Sequence, residues 1–347
     1  MFFHQSNFSY RANSEPFILA LSSDNELNEI RGRPYLSALL ARGIIAGFHF
    51  ADRKMRSMGW HKSFSFTHIW CHRNVSTAQY RFLRKQHPHV PIIYDIDDLL
   101  TAVPDFVKDR PHIVERIRWC LDRACAVTTS TDLLKLHLSD TIETDKITVL
   151  KNGHPGHELP PRRVQNRIIW TSGDHPFVLR EHPEFASKLA AIANKHDYEM
   201  IFIGRFDSAM GQKFNRWRYI QRLDIHSYWE FLRSFSGSIG LAPLPSGLSA
   251  HNQKFFDAKS DIKLLDYISN GLVPICTNTP PYARSELYIP ELGASDPDEI
   301  LRKLDLCIAD HSEWLERMDR KFHGGGMLDQ RRYSNLSQNL DSIFNTP

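Results

Sequence analysis

Residues 254–276, Lys-Phe-Phe-Asp-Ala-Lys-Ser-Asp-Ile-Lys-Leu-Leu-Asp-Tyr-Ile-Ser-Asn-Gly-Leu-Val-Pro-Ile-Cys, hold a helix and a strand in one stretch. Ser260 is of a type that caps helix N-termini, so a helix is expected to begin there. Leu264, Leu265 and Ile268 then fall at i, i+1 and i+4, an apolar stripe that can pack on a sheet. Gly271 stands where such a helix stops, and Val273 to Cys276 opens a buried strand. Lys259, Ser260 and Lys263 would thus gather at the positive end of a helix, where free backbone N–H groups favour an anion. Asp266 lies one turn further on, placed to accept hydrogen bonds from a sugar hydroxyl. A diphosphate and a ribose suit that arrangement. For an isolated Ser-x-x-Lys, a surface helix with two solvated lysines is the commoner explanation, and the surrounding chain shifts the balance.

At 347 residues the chain is too long for one ordinary core and suits two domains. Apolar content of 41% and charged content of 24% describe a globular composition rather than a disordered one. A net charge of only +3 excludes a strongly basic nucleic-acid binder while allowing a local basic face. The five cysteines form no C-x-x-C pair and sit mostly in apolar segments, which reads as reduced core thiols in a cytoplasmic protein. The N-terminus carries no signal-peptide pattern, and the longest apolar region, Tyr35 to Ala51, is too short and too interrupted to span a bilayer.

Apolar runs at 17–22, 44–48, 66–71, 91–96, 126–130 and 147–150 read as strands, with helices expected over 35–42, 75–86 and 111–124. Residues 154–166, with three prolines and few apolar side chains, break the pattern and read as a linker. The alternation then restarts, with strands at 168–171, 198–203, 238–242 and 272–276. Helices are expected over 183–195, 226–235, 260–270, 297–320 and, with a thin apolar stripe, 328–344. Alternating strands and helices mean βαβ units and parallel sheets. The expected class is α/β, with two Rossmann-like doubly wound domains facing a cleft. Residues 1–155 form the first domain and 156–327 the second, and 328–347 form a C-terminal helix able to cross back to the first.

Three constellations could carry chemistry. Asp95, Asp97 and Asp98 lie at the carboxyl end of a strand, where doubly wound sheets keep their functional groups. Three carboxylates this close repel, so one should have a raised pKa or an external partner. They could bind a metal, act as a base or hold sugar hydroxyls, although capping the next helix explains any single one of them equally well. Next, Thr171-Ser172-Gly173-Asp174-His175 follows a strand. Gly173 would let backbone N–H groups approach a phosphate, and His175 could donate to it. Arg205, ending the following strand, could pair with a phosphate, with a structural role favoured. Finally, His72 and Arg73 end the third strand and could line the cleft; no Cys/His spacing makes a zinc site. Dinucleotide, P-loop and nucleophile-elbow motifs are absent from the sequence.

Six segments in order resemble the GT-B glycosyltransferases, specifically the retaining, glycogen-synthase-like group (group 1, family 4-like). They are Arg31–Gly43, Ile92–Leu100 (IIYDIDDLL), Val127–Leu133 (VTTSTDL), Ile147–Gly153 (ITVLKNG), Ile168–His175 and Asp257–Pro274. The resemblance implies a nucleotide-diphosphate sugar held mainly by the C-terminal domain, for which Gly173, His175, Lys259, Ser260, Lys263, Asp266 and Arg205 are the donor-side candidates. It implies transfer to a hydroxyl acceptor approaching from the N-terminal domain, where Asp98, His72 and Arg73 are the acceptor-side candidates; Asp97, Asp95 and Lys263 are the candidates for catalytic roles. No metal or other cofactor is implied. The family's two-acid motif places its second acid, the ribose binder, on Asp266 and its first on Ala258. That alanine keeps open a non-catalytic nucleotide-sugar-binding partner as an alternative. A phage-type DNA-base glycosyltransferase is a second, disfavoured by the modest charge. The acceptor is expected to be a glycan, a lipid-linked glycan or another hydroxyl. The location is expected to be cytoplasmic, with peripheral contact at the inner membrane face allowed by Arg42, Arg53, Lys54 and Arg56; a solvated face explains those charges at least as well.

Overall fold

The computed structural model describes residues 8–10, 17–22, 28–50, 66–73, 85, 88–105, 110–156, 158–159, 163–173, 177–221, 223–245, 247–324 and 326–344. The chain divides into two compact units. One comprises Met1–Gly153, Ala258–Ser260 and Arg332–Pro347, the other His154–Asp257 and Asp261–Arg331.

The first unit is built on seven strands: β1 (Phe8–Tyr10), β2 (Phe17–Ser22), β3 (Gly47–Phe50), β4 (His68–His72), β5 (Ile92–Ile96), β6 (Ala124–Thr129) and β7 (Ile147–Val149). They run in the order β1-β3-β2-β4-β5-β6-β7, parallel except for β1. Ile18, Leu19, Ile69, Ile93, Tyr94 and Val127 are fully buried, which accounts for the near-continuous apolar runs of a parallel sheet covered on both faces. Helices α1 (Arg33–Ala41), α2 (Arg110–Arg123) and α3 (Asp132–Leu138) connect the strands. Thr131 starts α3 by accepting the Leu134 N–H at 3.1 Å.

One expected strand is displaced. The run at 44–48 pairs only from Gly47, because the N–H of Ile44 returns to the Leu39 carbonyl and closes α1, with Gly43 at φ 76°. The helix expected over 75–86 lies, apart from Lys85, outside the described residues.

The second unit has β8 (Arg167–Ser172), β9 (Glu199–Gly204), β10 (Trp217–Ile220), β11 (Ile239–Ala242), β12 (Val273–Thr277) and β13 (Gly293–Ala294). All are parallel, in the order β10-β9-β8-β11-β12-β13. Neither β10 nor β13 was expected: β10 is half polar at a sheet edge, and β13 is two residues long. Its helices are α4 (Phe177–Glu181), α5 (Phe185–Lys195), α6 (Ile225–Ser234), α7 (Ala250–Asp257), α8 (Ile262–Ser269), α9 (Pro280–Ala283), α10 (Pro297–Ala309) and α11 (His311–Met318). The helix expected over 297–320 breaks between α10 and α11, where buried His311 holds its Nδ1 2.9 Å from the Tyr198 hydroxyl. The region expected as one helix over 328–344 is four short turns, including α12 (Tyr333–Leu336) and α13 (Asp341–Phe344). From Arg332 onward it belongs to the first unit, with the Tyr333 ring edge-on to Tyr35 at 5.1 Å and Arg42 paired with Asp341. Arg42 is therefore engaged, while Arg53, Lys54 and Arg56 lie outside the described residues. No described helix is long and apolar enough to cross a membrane.

The parallel strands of each sheet reverse their order once, the antiparallel edge strand β1 apart. In the first unit the reversal falls between β2 and β4, in the second between β8 and β11. The crevice outside the carboxyl ends at such a point is where doubly wound sheets bind ligands.

Candidate functional site

At the carboxyl edge of the first sheet a charged cluster is sealed from solvent. Arg31, in the turn Asn28–Gly32 after β2, is fully buried. It donates to Asp95 through Nε (3.1 Å) and Nη2 (2.6 Å) and to the Asn152 side-chain oxygen (3.2 Å). The Thr128 hydroxyl donates to Asp95 Oδ1 at 2.6 Å, and His72 Nδ1 lies 2.6 Å from Asp95 Oδ2. Burial alone would raise the Asp95 carboxyl, but the Arg31 charge and the His72 contact hold it well below the usual carboxylate range. Asp95, expected at the catalytic surface, is thus enclosed and fully hydrogen-bonded. The other ring nitrogen of His72, Nε2, is buried with no hydrogen-bond partner and stands 3.8 Å from Asp97 Oδ1.

Asp97 and Asp98 form the rim above this cluster, with side chains 12% and 14% exposed. Arg73 donates from Nε to Asp97 Oδ1 and from Nη2 to Asp97 Oδ2 at 2.9 Å and to Asp98 at 2.6 Å. Burial would raise the Asp97 carboxyl, yet Arg73, His72 and Arg31 bring it below its ordinary value. Of the three aspartates, Asp95 and Asp97 are thus brought below their ordinary values by Arg31, His72 and Arg73, and Asp98 pairs with Arg73 and Lys259. Arg73 itself sits at φ 50°, a left-handed conformation sparsely used by side-chain-bearing residues. It is pinned there by its N–H donating to Asp95 O (2.8 Å) and by the Tyr94 hydroxyl donating to its carbonyl (2.8 Å).

The stretch at 258–260 departs from expectation. Lys259 donates to Asp98 Oδ1 at 3.1 Å, and the Ser260 hydroxyl accepts from Asn152 Nδ2 at 2.8 Å, all within the first unit. Helix α8 begins at Ile262 after Asp261, so Ser260 does not cap it. The reason is Arg331, which is buried and donates to both Asp261 oxygens at 2.9 Å, holding the residue before the helix in place.

In the second unit, α8 lies over the point of strand reversal. The buried Tyr267 hydroxyl is 3.2 Å from the Thr171 N–H and hydroxyl on β8 and donates to Leu241 O on β11 at 3.0 Å. Gly240 leaves room for that ring, since a Cβ there would lie 2.5 Å from it. On the same helix, Lys263 donates to Thr171 O at 2.6 Å, and Asp266 accepts from Trp229 Nε1 (3.2 Å) and the Tyr228 hydroxyl (3.3 Å) on α6. Burial pushes the Asp266 carboxyl up to about 7, against the pull of Trp229, Tyr228 and Lys263. Gly173, exposed after β8, has no described atom within 4 Å of where a Cβ would stand. Arg205 is exposed, its N–H donating to Ser172 O at 2.9 Å. His175 lies outside the described residues.

Sequence reasoning singled out Asp95, Asp97, Asp98, His72 and Arg73, which the fold brings together, and missed Arg31, Thr128, Tyr228, Trp229 and Tyr267 as members of these edges. Only the buried Arg31 carried a signal, as a charged side chain just after an apolar strand. No group of three or more His, Cys, Asp or Glu among the described residues is arranged to hold a metal ion.

No protein-family model matches the chain, and no curated protein matches it in sequence. Solved structures do match in three dimensions. S. aureus TarM, in complex with Fondaparinux, alpha-GlcNAc-glycerol and UDP, superposes with a TM-score of 0.54 at 8% identity over 80% of this chain and 55% of its own. This chain thus spans only 55% of the length of the TarM structures it matches. A candidate UDP-N-acetylglucosamine 2-epimerase from Listeria monocytogenes gives a TM-score of 0.59 at 12% identity, covering 96% of this chain and 98% of that one. A glycosyltransferase from Rickettsia africae gives 0.56 at 12% identity over the same shares. At these identities the likeness establishes the fold, the two-unit α/β architecture of GT-B proteins.

Proposed function

We propose that the protein is a glycosyltransferase, moving a sugar with retention from a nucleoside-diphosphate sugar to a hydroxyl of a glycan, lipid-linked glycan or related acceptor, without a metal cofactor. The observation that carries this reading is the placement of α8 across the β8/β11 reversal, with Lys263 on the Thr171 carbonyl two residues before Gly173 and Asp266 on the same helix. Lys263, with the Gly173 turn, would stabilise the departing diphosphate, and Asp266 would accept from the ribose. Asp97, on the rim of the first sheet, is the ionised carboxylate suited to the acceptor hydroxyl, with Arg73 and Asp98 beside it. The TarM complex with UDP and the Rickettsia glycosyltransferase lend support from fold likeness. Ala258, in place of an acid, favours as second reading a nucleotide-sugar binder that does not itself catalyse transfer.

A thermal-shift series with UDP, GDP, dTDP and CMP tests the binding half, because a ligand that binds only the folded state raises its stability with affinity. One nucleotide should shift the midpoint in a concentration-dependent way, and no shift with any of them would sink the proposal. Release of nucleoside diphosphate from the matching sugar donor then separates transferase from silent binder.

A further inference from the structure

We infer that His72 is a buried proton store behind Asp97: it takes over, at Nε2, the proton that Asp97 removes from the acceptor hydroxyl. This rests on the glycosyl-transfer reading, which needs an acceptor that loses a proton. The geometry assigns each nitrogen a job. Asp95 is ionised, and its two oxygens already accept from Arg31 and Thr128, so the 2.6 Å contact from His72 Nδ1 places a proton on that nitrogen. In the neutral ring this leaves a bare lone pair on Nε2. That atom is buried and has no hydrogen-bond partner, which leaves a polar group desolvated without compensation. It stands 3.8 Å from Asp97 Oδ1, on the rim carboxylate.

Catalytic contacts tighten on binding, and a turn of the Asp97 carboxylate in the ligand complex would close that gap to hydrogen-bond length. In the step itself, the acceptor oxygen bonds to the anomeric carbon on the same face that the diphosphate leaves, as retention requires. The bond to the diphosphate breaks, with its electron pair leaving on the nucleoside diphosphate. The acceptor proton passes to Asp97 and on to His72 Nε2. Asp95 is a positioning residue here: it fixes the tautomer and balances the imidazolium, as Arg31 fixes Asp95. The ring meets Asp95 and Asp97, which are held in turn by Arg31 and Thr128 and by Arg73.

Two substitutions separate this role from simple support of Asp95. In His72→Asn the amide N–H can replace the Nδ1 donor, but nothing occupies the Nε2 position, so fold and nucleotide affinity persist. The rate of nucleoside diphosphate release from the donor, with water as acceptor, should fall about 10²–10⁴-fold in kcat with KM for the donor unchanged. If His72 only braced Asp95, His72→Asn would turn over like the wild type, and that result overturns the inference while leaving the transferase reading intact. Long-range 1H–15N spectra of the wild-type chain provide a readout independent of turnover. Neutral His72 should carry its proton on Nδ1, in the wild type and in Asp97→Asn alike, because Asp95 sets the tautomer. A neutral ring protonated at Nε2 overturns the relay. Failure to bind any nucleoside diphosphate overturns the transferase reading instead.

Discussion

The Lys263 ammonium donates to the Thr171 carbonyl at the end of β8 at 2.6 Å, and in the proposed reading this is the side chain that meets the diphosphate. Lys263→Ala is expected to leave the fold intact and lower turnover on the order of 10²-fold, measured as nucleoside diphosphate release. Near-normal turnover would remove the phosphate role. Asp266 offers a test with a defined sign. Its carboxyl ionises near the ordinary 3.8 when unfolded and at about 7 when folded. Between those values the folded state binds the extra proton, so stability falls as pH rises through that window and is flat above it. Asp266→Asn lacks the effect and should gain on the wild type between pH 4 and pH 8. The gain, on the order of 2 kcal/mol after solvent screening, would be read by urea denaturation. An Asn variant that tracks the wild type at both pH values would show that Asp266 is not desolvated. These residues were legible as candidates because their types are rare in apolar surroundings. Their partners Trp229 and Tyr228 were not, since they come from a helix some 37 residues earlier in the chain.

At the scale of elements, α8 depends on two contacts that local sequence does not announce. Gly240 faces the Tyr267 ring, and Gly240→Ala would push a methyl group to within 2.5 Å of it. That overpacking should cost about 1–3 kcal/mol in thermal denaturation, with loss of nucleotide binding as α8 shifts. The start of α8 is held by Arg331, whose guanidinium serves Asp261 and, at 2.8 Å, Glu286. Arg331→Met leaves Asp261 charged and without its guanidinium partner, and should destabilise the second unit by about 3–5 kcal/mol. A midpoint within 1 °C of the wild type would show that the cluster contributes little. The apolar stripe of α8 and the positive φ of 79° at Gly271 follow directly from residue type. Its first residue does not: Ser260 has the better capping chemistry, yet Asn152 takes its hydroxyl and Asp261 is fixed by a residue 70 positions away.

For the whole molecule, two doubly wound sheets follow from alternating apolar runs and amphipathic segments, and each places its polar groups where its strand order reverses. The C-terminal segment from Arg332 is integral to the first unit, with Tyr333 and Leu340 buried. Deleting residues 332–347 should therefore lower the denaturation midpoint of that unit and expose the α1 face, seen as dye binding; an unchanged midpoint would make the segment an accessory. The sequence by itself determined the α/β class, the positions of β2–β9, β11 and β12 to within a few residues and the aspartate, histidine and lysine edges, because hydrophobic period and residue chemistry are local properties. Tertiary structure alone decided which of those charges are spent on one another. Residues far apart in the chain, Arg31 with Asp95 and Arg331 with Asp261, meet only once the sheets form. Burial then fixes Asp95 as an anchor, leaves Asp97 on the rim and strands the Nε2 of His72 beside it.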